Sequence, residues 1–157
     1  MLAINIPGYA DLQLSHLVLD YNGTLAIDGQ LIEGVKEQLN TLATPLQIHV
    51  ITANTFGNVQ AAVTDIDCHL AILSPDHSQD VAKLEYIEHL DSTTTVCIGN
   101  GRNDKLMLKS AALGIAVIQA EGAAVETMMA GDVVTTNILD ALNLLIHPKR
   151  LVASLRS

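Results

Sequence analysis

"HLVLDYNGTLAIDG", residues 16–29, opens with an apolar run of strand character that stops at a single acid, Asp20, before the chain turns through Tyr21, Asn22, Gly23 and Thr24. A side chain in that position emerges at the edge of a sheet, partly desolvated and close to the N–H groups of the turn. Such a carboxylate can bind Mg²⁺ or attack phosphorus. Gly23 supplies a turn without Cβ conflict and lets backbone N–H groups approach an anion, and the Thr24 hydroxyl adds a donor. Taken alone, an acid before a glycine turn is more simply a turn-former.

Working outward, five further short runs share this strand character: "LQIHVIT", "LAILS", "TTVCIG", "GIAVI" and "DVVTT". Between them lie segments of helical period: Ile32, Val35, Leu39 and Leu42; Val59, Ala62, Val63 and Ile66; Leu84, Ile87 and Leu90; then 103–113, 122–130 and Ile138 to Ile146. Strand and helix alternate, and most of the strands are apolar on both faces. The pattern predicts a Rossmann-like, three-layer α/β/α sandwich with a mainly parallel sheet and right-handed crossovers. One interruption stands out. "TLAIDGQLI" places Asp28-Gly29 between apolar residues, the signature of a tight hairpin, so a small β-flap should overhang the end of the first strand.

The 157 residues suit one domain, with a core over about 16–147 and a basic tail over 147–157. A 49% hydrophobic content with 16% charged residues is too apolar for disorder, and no run reaches the roughly 18 apolar residues of a membrane span. No secretory signal is recognisable in "MLAINIPGYADLQL", and the expected location is cytoplasmic. Lys149, Arg150 and Arg156 crowd the last nine positions, leaving 17 acids against five bases before them. The net charge of −9 repels phosphate backbones and argues against general nucleic-acid binding. The basic tail reads as a helix end whose cations complement its dipole. Cys68 and Cys97 form neither a disulfide framework nor a zinc pattern, and Cys97 reads as a buried hydrophobe.

Parallel sheets of this kind bind ligands beyond the carboxyl ends of their strands. The polar residues found there are Asp20 to Thr24, then Thr52-Ala53-Asn54, then Ser74 to Asp76, then Gly99 to Asp104. Thr52 either holds a phosphoryl oxygen or caps the next helix. Lys83 lies near the start of "VAKLEYIEHL", where the positive end of a helix disfavours a cation unless an anion is near, although a solvated lysine is the simpler reading. "GNGRNDKLML", residues 99–108, delivers Asn100, Asn103 and Asp104 where a metal or phosphate would lie, or else forms a glycine-rich turn that caps a helix.

In that order, "DYNGTLA", "TAN", Lys83 and "GNGRNDKLML" resemble the four motifs of the haloacid dehalogenase superfamily. More narrowly, "DYNGTLA" and "GNGRND" look like the phosphorylated segment and glycine-rich metal loop of P-type ATPases, and residues 16–147 are similar to small soluble P-type ATPase-like proteins. The resemblance implies a Mg²⁺-dependent phosphohydrolase or phosphotransferase. Asp20 would be the nucleophile and a metal ligand, Asn22 would offer its carbonyl to the metal, and Gly23 and Thr24 would hold the turn and the phosphate. Thr52 and Lys83 would bind phosphoryl oxygens, with Ala53, Asn54 and Asn103 beside the substrate. Asn100 would ligate the metal, and Asp104 would support it or orient Lys83.

Two departures qualify the implication. The second acid that the superfamily's phosphatases place two residues after the nucleophile is Asn22 here, and an amide cannot transfer the proton, so hydrolysis should be slow. Asn100 replaces the usual first acid of the metal loop, which should weaken Mg²⁺ binding. A non-catalytic phosphate-binding or regulatory module is therefore the alternative. A receiver-like signalling domain fits less well, because only Asp11 precedes the first strand and "GNGRND" has no role there. Short spacings around Thr24 and between Thr52 and Lys83 leave no room for a cap domain. Water exclusion would then fall to the flap, a second subunit of a homo-oligomer, or a large phosphorylated substrate that covers the site.

Overall fold

The computed structural model describes residues 1–53 and 58–157. In chain order its elements are β1 (Leu2–Ile6), β2 (Ala10–Leu14), β3 (His16–Asp20), β4 (Ala26–Ile27), β5 (Gln30–Leu31), α1 (Val35–Leu42), β6 (Gln47–Thr52), α2 (Asn58–Ala62), β7 (His69–Ile72) and α3 (Gln79–Leu90). There follow β8 (Thr95–Gly99), α4 (Lys105–Ser110), β9 (Leu113–Val117), α5 (Val125–Ala130), β10 (Val133–Thr135), α6 (Ile138–Ile146) and α7 (Pro148–Leu155).

Six strands form one parallel sheet in the order β10-β9-β8-β3-β6-β7. All six are the runs expected from the sequence. The central strand is β3, with Asp20 beside Ile51 of β6 and Leu19 beside Ile98 of β8. Alternation along β3 sends Leu17 and Leu19 into the larger apolar cluster, with Leu39 of α1 and Leu142 of α6. Val18 faces the other way, against Ile87 of α3, Cys97 of β8 and Met107 and Leu108 of α4. Asp20 shares the parity of Val18. The face covered by α3 and α4 is thus the one from which it can be met.

The expected flap is present. Ala26 pairs with Leu31 and Ile27 with Gln30, and the turn residues Asp28 and Gly29 both have positive φ, 50° and 76°, as a two-residue type I′ hairpin requires. The Tyr21 hydroxyl donates to Gly29 O at 3.1 Å, which ties the flap to the end of β3. Between Thr24 and β6 lie only this hairpin and α1, and the described residues between Thr52 and Lys83 hold only α2, β7 and the start of α3.

Both ends of the chain depart from the sequence reading. Residues 2–14 form an antiparallel hairpin that was not expected, with Ile4, Ile6, Leu12 and Leu14 buried in the main cluster. The basic tail is a helix in its own right. Pro148 starts α7, so Lys149 and Arg150 open this helix rather than close the one before it, and Leu151 is fully buried. The core accordingly extends at both ends beyond residues 16–147. Ser157 N–H donates to Pro7 O at 3.2 Å, joining the end of the chain to the turn of the first hairpin.

Candidate active site

Lys83 lies one helical turn before Ile87 on α3, and that spacing turns both toward the sheet face that carries Val18 and Asp20. Its Nζ stands 2.6 Å from Asp20 Oδ1 and 2.6 Å from Asp104 Oδ1, and the lysine is fully buried. A solvated lysine is excluded. Burial by itself would lower the lysine pKa, but the two carboxylates outweigh it and hold the ammonium above its ordinary range. Asp20 is pushed up to about 7, first by burial and then by the nearby Asp104 charge, against the opposing pull of Lys83.

Asp104 arrives from the loop after β8. Its Oδ2 accepts the backbone N–H groups of Asn100 at 2.9 Å and Gly101 at 2.8 Å, while Oδ1 takes Lys83. Gly99 makes this possible, since a Cβ there would come within 2.5 Å of the Asp104 carboxyl carbon. With both oxygens engaged and no exposure, Asp104 is built to orient Lys83 rather than to offer an open coordination position.

The loop after β3 is held largely by its own bonds. Gly23 N–H donates to Ala26 O at 2.9 Å, and Thr24 N–H to Tyr21 O at 3.2 Å. The Thr24 hydroxyl donates to Asn100 Oδ1 at 3.0 Å, and Asn100 Nδ2 donates to Gly122 O at 3.0 Å. Gly23, at φ 78°, is obligatory because a Cβ would sit 2.3 Å from Asn100 Nδ2. These contacts correct one expectation. Gly23 and Thr24 do not present open donors to an anion, because their N–H groups and the buried Thr24 hydroxyl are already engaged.

Asn22 is exposed beside Asp20, and Thr52 is buried at the carboxyl end of the adjacent strand, one residue beyond the Asp20 partner Ile51. Half-buried Ala53 follows it, and Asn54 lies outside the described residues. Asn103 is half-buried and lines an open cleft of about 370 Å³ with Ser78, Gln79, Asp80, Arg102 and Lys105. Two contributors escaped the sequence reading. Gln119, just after β9, donates to Gly23 O at 2.9 Å and Thr24 O at 2.6 Å, and Gly122 accepts from Asn100. The position of Gln119 after the fifth strand was the available signal.

Asp20, Asp104 and Lys83 together carry one uncompensated negative charge when both acids are ionised, and burial followed by that charge raises the Asp20 pKa. A divalent cation would relieve it. Among the described residues no three His, Cys, Asp or Glu side chains converge as a metal site. The candidate oxygen donors are the Asp20 carboxylate, the Asn22 carbonyl and the Asn100 amide oxygen, the last of which already accepts the Thr24 hydroxyl. The set is hard and suits Mg²⁺ better than a soft metal.

No family model matches the chain. It is 45% identical over 83 residues to the uncharacterized protein MJ0073 of Methanocaldococcus jannaschii, spanning 50% of this chain and 89% of that one. A second protein of that organism, MJ0072, is 46% identical over 39 residues, 25% of this chain and 89% of its own length. Among solved structures, the cobalt-bound deoxy-D-mannose-octulosonate 8-phosphate phosphatase of Haemophilus influenzae superposes with a TM-score of 0.71 at 12% identity, over 92% of this chain and 94% of that one. The Moraxella catarrhalis 3-deoxy-D-manno-octulosonate 8-phosphate phosphatase, in complex with magnesium, phosphate and KDO, gives 0.68 at 17% over 90% and 93%. Phosphoserine phosphatase in its apo form gives 0.69 at 15% over 85% and 98%.

Proposed function

From a chain that belongs to one family with MJ0073 and carries the haloacid dehalogenase fold, we propose a Mg²⁺-dependent phosphotransferase or slow phosphohydrolase that works through an aspartyl-phosphate on Asp20. The observation that carries the reading is the buried Lys83 ammonium held between Asp20 and Asp104 at 2.6 Å each. Transfer of a phosphoryl group to a carboxylate brings two anions together, and catalysis consists chiefly of suppressing their repulsion while keeping them in line.

In this reading Asp20 attacks phosphorus and becomes the mixed anhydride, while the leaving oxygen departs on the opposite side. Lys83 neutralises charge on the carboxylate and the incoming phosphoryl oxygens, and Asp104 fixes the lysine. Thr52 and the Ala53 segment bind phosphoryl oxygens from the neighbouring strand, and Asn103 contacts the remainder of the substrate. Asp20, the Asn22 carbonyl and Asn100 would hold Mg²⁺, which supplies charge neutralisation for the transfer. Asn22 cannot protonate a leaving group or activate water, so the phosphorylated form should persist, as the likeness to P-type ATPases also implies.

No inserted cap separates the motifs among the described residues, and Asn22 is exposed beside the buried Asp20. A phosphorylated substrate large enough to cover it, or a second copy of the chain, is the fitting complement. One observation favours a weaker, phosphate-binding role: Asn100 has its oxygen engaged by Thr24 and its nitrogen by Gly122, and it brings no negative charge to the metal. Turnover of p-nitrophenyl phosphate with Mg²⁺ separates the two. Slow but saturable, Mg²⁺-dependent hydrolysis that disappears in Asp20→Asn supports the enzyme, and phosphate binding without turnover supports the module.

A further inference from the structure

Gln119 lies outside every motif of the site, yet its side chain uses all of its principal hydrogen-bonding directions there. Nε2 donates to two successive carbonyls of the loop after β3, Gly23 O at 2.9 Å and Thr24 O at 2.6 Å. Oε1 accepts the backbone N–H of Ile138, the first residue of α6, at 3.0 Å. Only a primary amide does both. A glutamate would set a carboxylate oxygen against two carbonyls, and a lysine or arginine could not accept from Ile138.

The consequence lies in the peptide planes. In a trans peptide the C=O and N–H point in opposite directions. Gly23 N–H is fixed on Ala26 O at 2.9 Å, which sets the Asn22 carbonyl pointing away from Ala26. The next peptide has its N–H on Tyr21 O, at 3.2 Å, and its carbonyl on Gln119. Two consecutive planes are therefore locked, the second through a side chain that reaches across from β9.

We propose that Gln119 is a positioning residue: by clamping the Gly23 and Thr24 carbonyls to the start of α6, it holds the Asn22 carbonyl in the orientation a divalent cation requires. It touches neither the cation nor the substrate. The proposal rests on the Mg²⁺-dependent reading above and adds to it a residue that no motif contains.

The test compares the full-length protein with Gln119→Met, which keeps length and removes the donors, and with Gln119→Ala. Amide hydrogen exchange is measured across residues 20–26 and across the sheet, and Mg²⁺ binding is measured by calorimetry without substrate. The expected result is exchange at Gly23 and Ala26 faster by about tenfold with β8 and β9 unchanged, and Mg²⁺ binding weaker by about tenfold, as the loss of two hydrogen bonds predicts. Wild-type Mg²⁺ binding that both variants preserve would overturn the role of Gln119 alone. A wild type that binds no Mg²⁺ would overturn the functional reading, and with it the purpose assigned to the clamp.

Discussion

Lys83 and Asp104, 21 residues apart in the chain, meet at 2.6 Å with neither side chain exposed to solvent. Breaking a buried pair by removing one partner leaves the other charge without compensation and typically costs 3–5 kcal/mol. Lys83→Ala strands two carboxylates at once. It should destabilise the protein by about 3–5 kcal/mol in denaturant titrations and abolish phosphoryl transfer. Asp104→Asn, which retains shape and an acceptor, should cost less stability while still lowering the transfer rate.

Asn22→Asp restores a group that can give and take a proton beside the nucleophile. Because Asn22 is exposed, the substitution should leave the melting temperature nearly unchanged. Steady-state hydrolysis of p-nitrophenyl phosphate should rise by about 10²-fold, the lower end of what general acid–base help supplies. An equal rate in both proteins would mean that breakdown of the phosphorylated form is not limited by the missing acid.

Two glycines with nearly the same φ separate backbone strain from steric conflict. Gly23 and Gly29 have φ 78° and 76°, but a Cβ at Gly29 meets nothing within 4 Å, whereas at Gly23 it meets Asn100 Nδ2 at 2.3 Å. Gly29→Ala should cost about 1 kcal/mol, the strain of a left-handed alanine, and Gly23→Ala distinctly more. Thermal unfolding of the two variants checks the order, and only Gly23→Ala should also impair activity.

At the opposite end of the sheet, His16 Nδ1 stands 3.2 Å from His49 Nε2, His49 Nδ1 stands 2.9 Å from the Tyr86 hydroxyl, and His69 stacks on His49. Burial first, then the neighbouring His16 and His69, lower the His49 pKa to about 4. The unfolded chain, with an ordinary histidine near 6.5, therefore takes up a proton more readily than the folded one. The His49 contribution to stability is fully present above pH 6.5 and is lost as the pH drops toward 4, by at most about 1.4 kcal/mol per pH unit. Asp20, whose pKa is raised to about 7, contributes the opposite slope over the same range, so the effect is read as a difference. In denaturant titrations at pH 7, 5.5 and 4.5 the stability of His49→Gln relative to the wild type should improve as the pH falls.

Local pattern was enough to reveal the sheet, the flap and the chain order of Asp20, Thr52, Lys83 and Asp104, because each stands at a strand end or on a helix face set by short-range periodicity. It could not reveal what Lys83 meets. Asp20 is 63 residues away, and only the shared parity of Val18 and Asp20, met by Ile87 and Lys83, brings them together. Gln119 was invisible for the same reason, with partners 96 and 95 residues away in the chain. The hairpin at residues 2–14 was legible in principle, since Ile4, Ile6, Leu12 and Leu14 alternate with more exposed residues. Its five-residue strands contain Asn5, Asp11 and Gln13, and that polarity hid the period. In the tail the clustered cations suggest the end of a helix by charge alone, whereas Pro148 restarts the chain as a helix that Lys149 and Arg150 open.

Trapping the phosphorylated chain tests the central claim most directly. The protein is incubated with acetyl phosphate and Mg²⁺, digested in acid and mapped by mass spectrometry. The account predicts a phosphoryl adduct on the peptide that contains Asp20, dependent on Mg²⁺, released by hydroxylamine and absent from Asp20→Asn. A wild-type protein that binds Mg²⁺ yet forms no such adduct, or one labelled equally in Asp20→Asn, would contradict it.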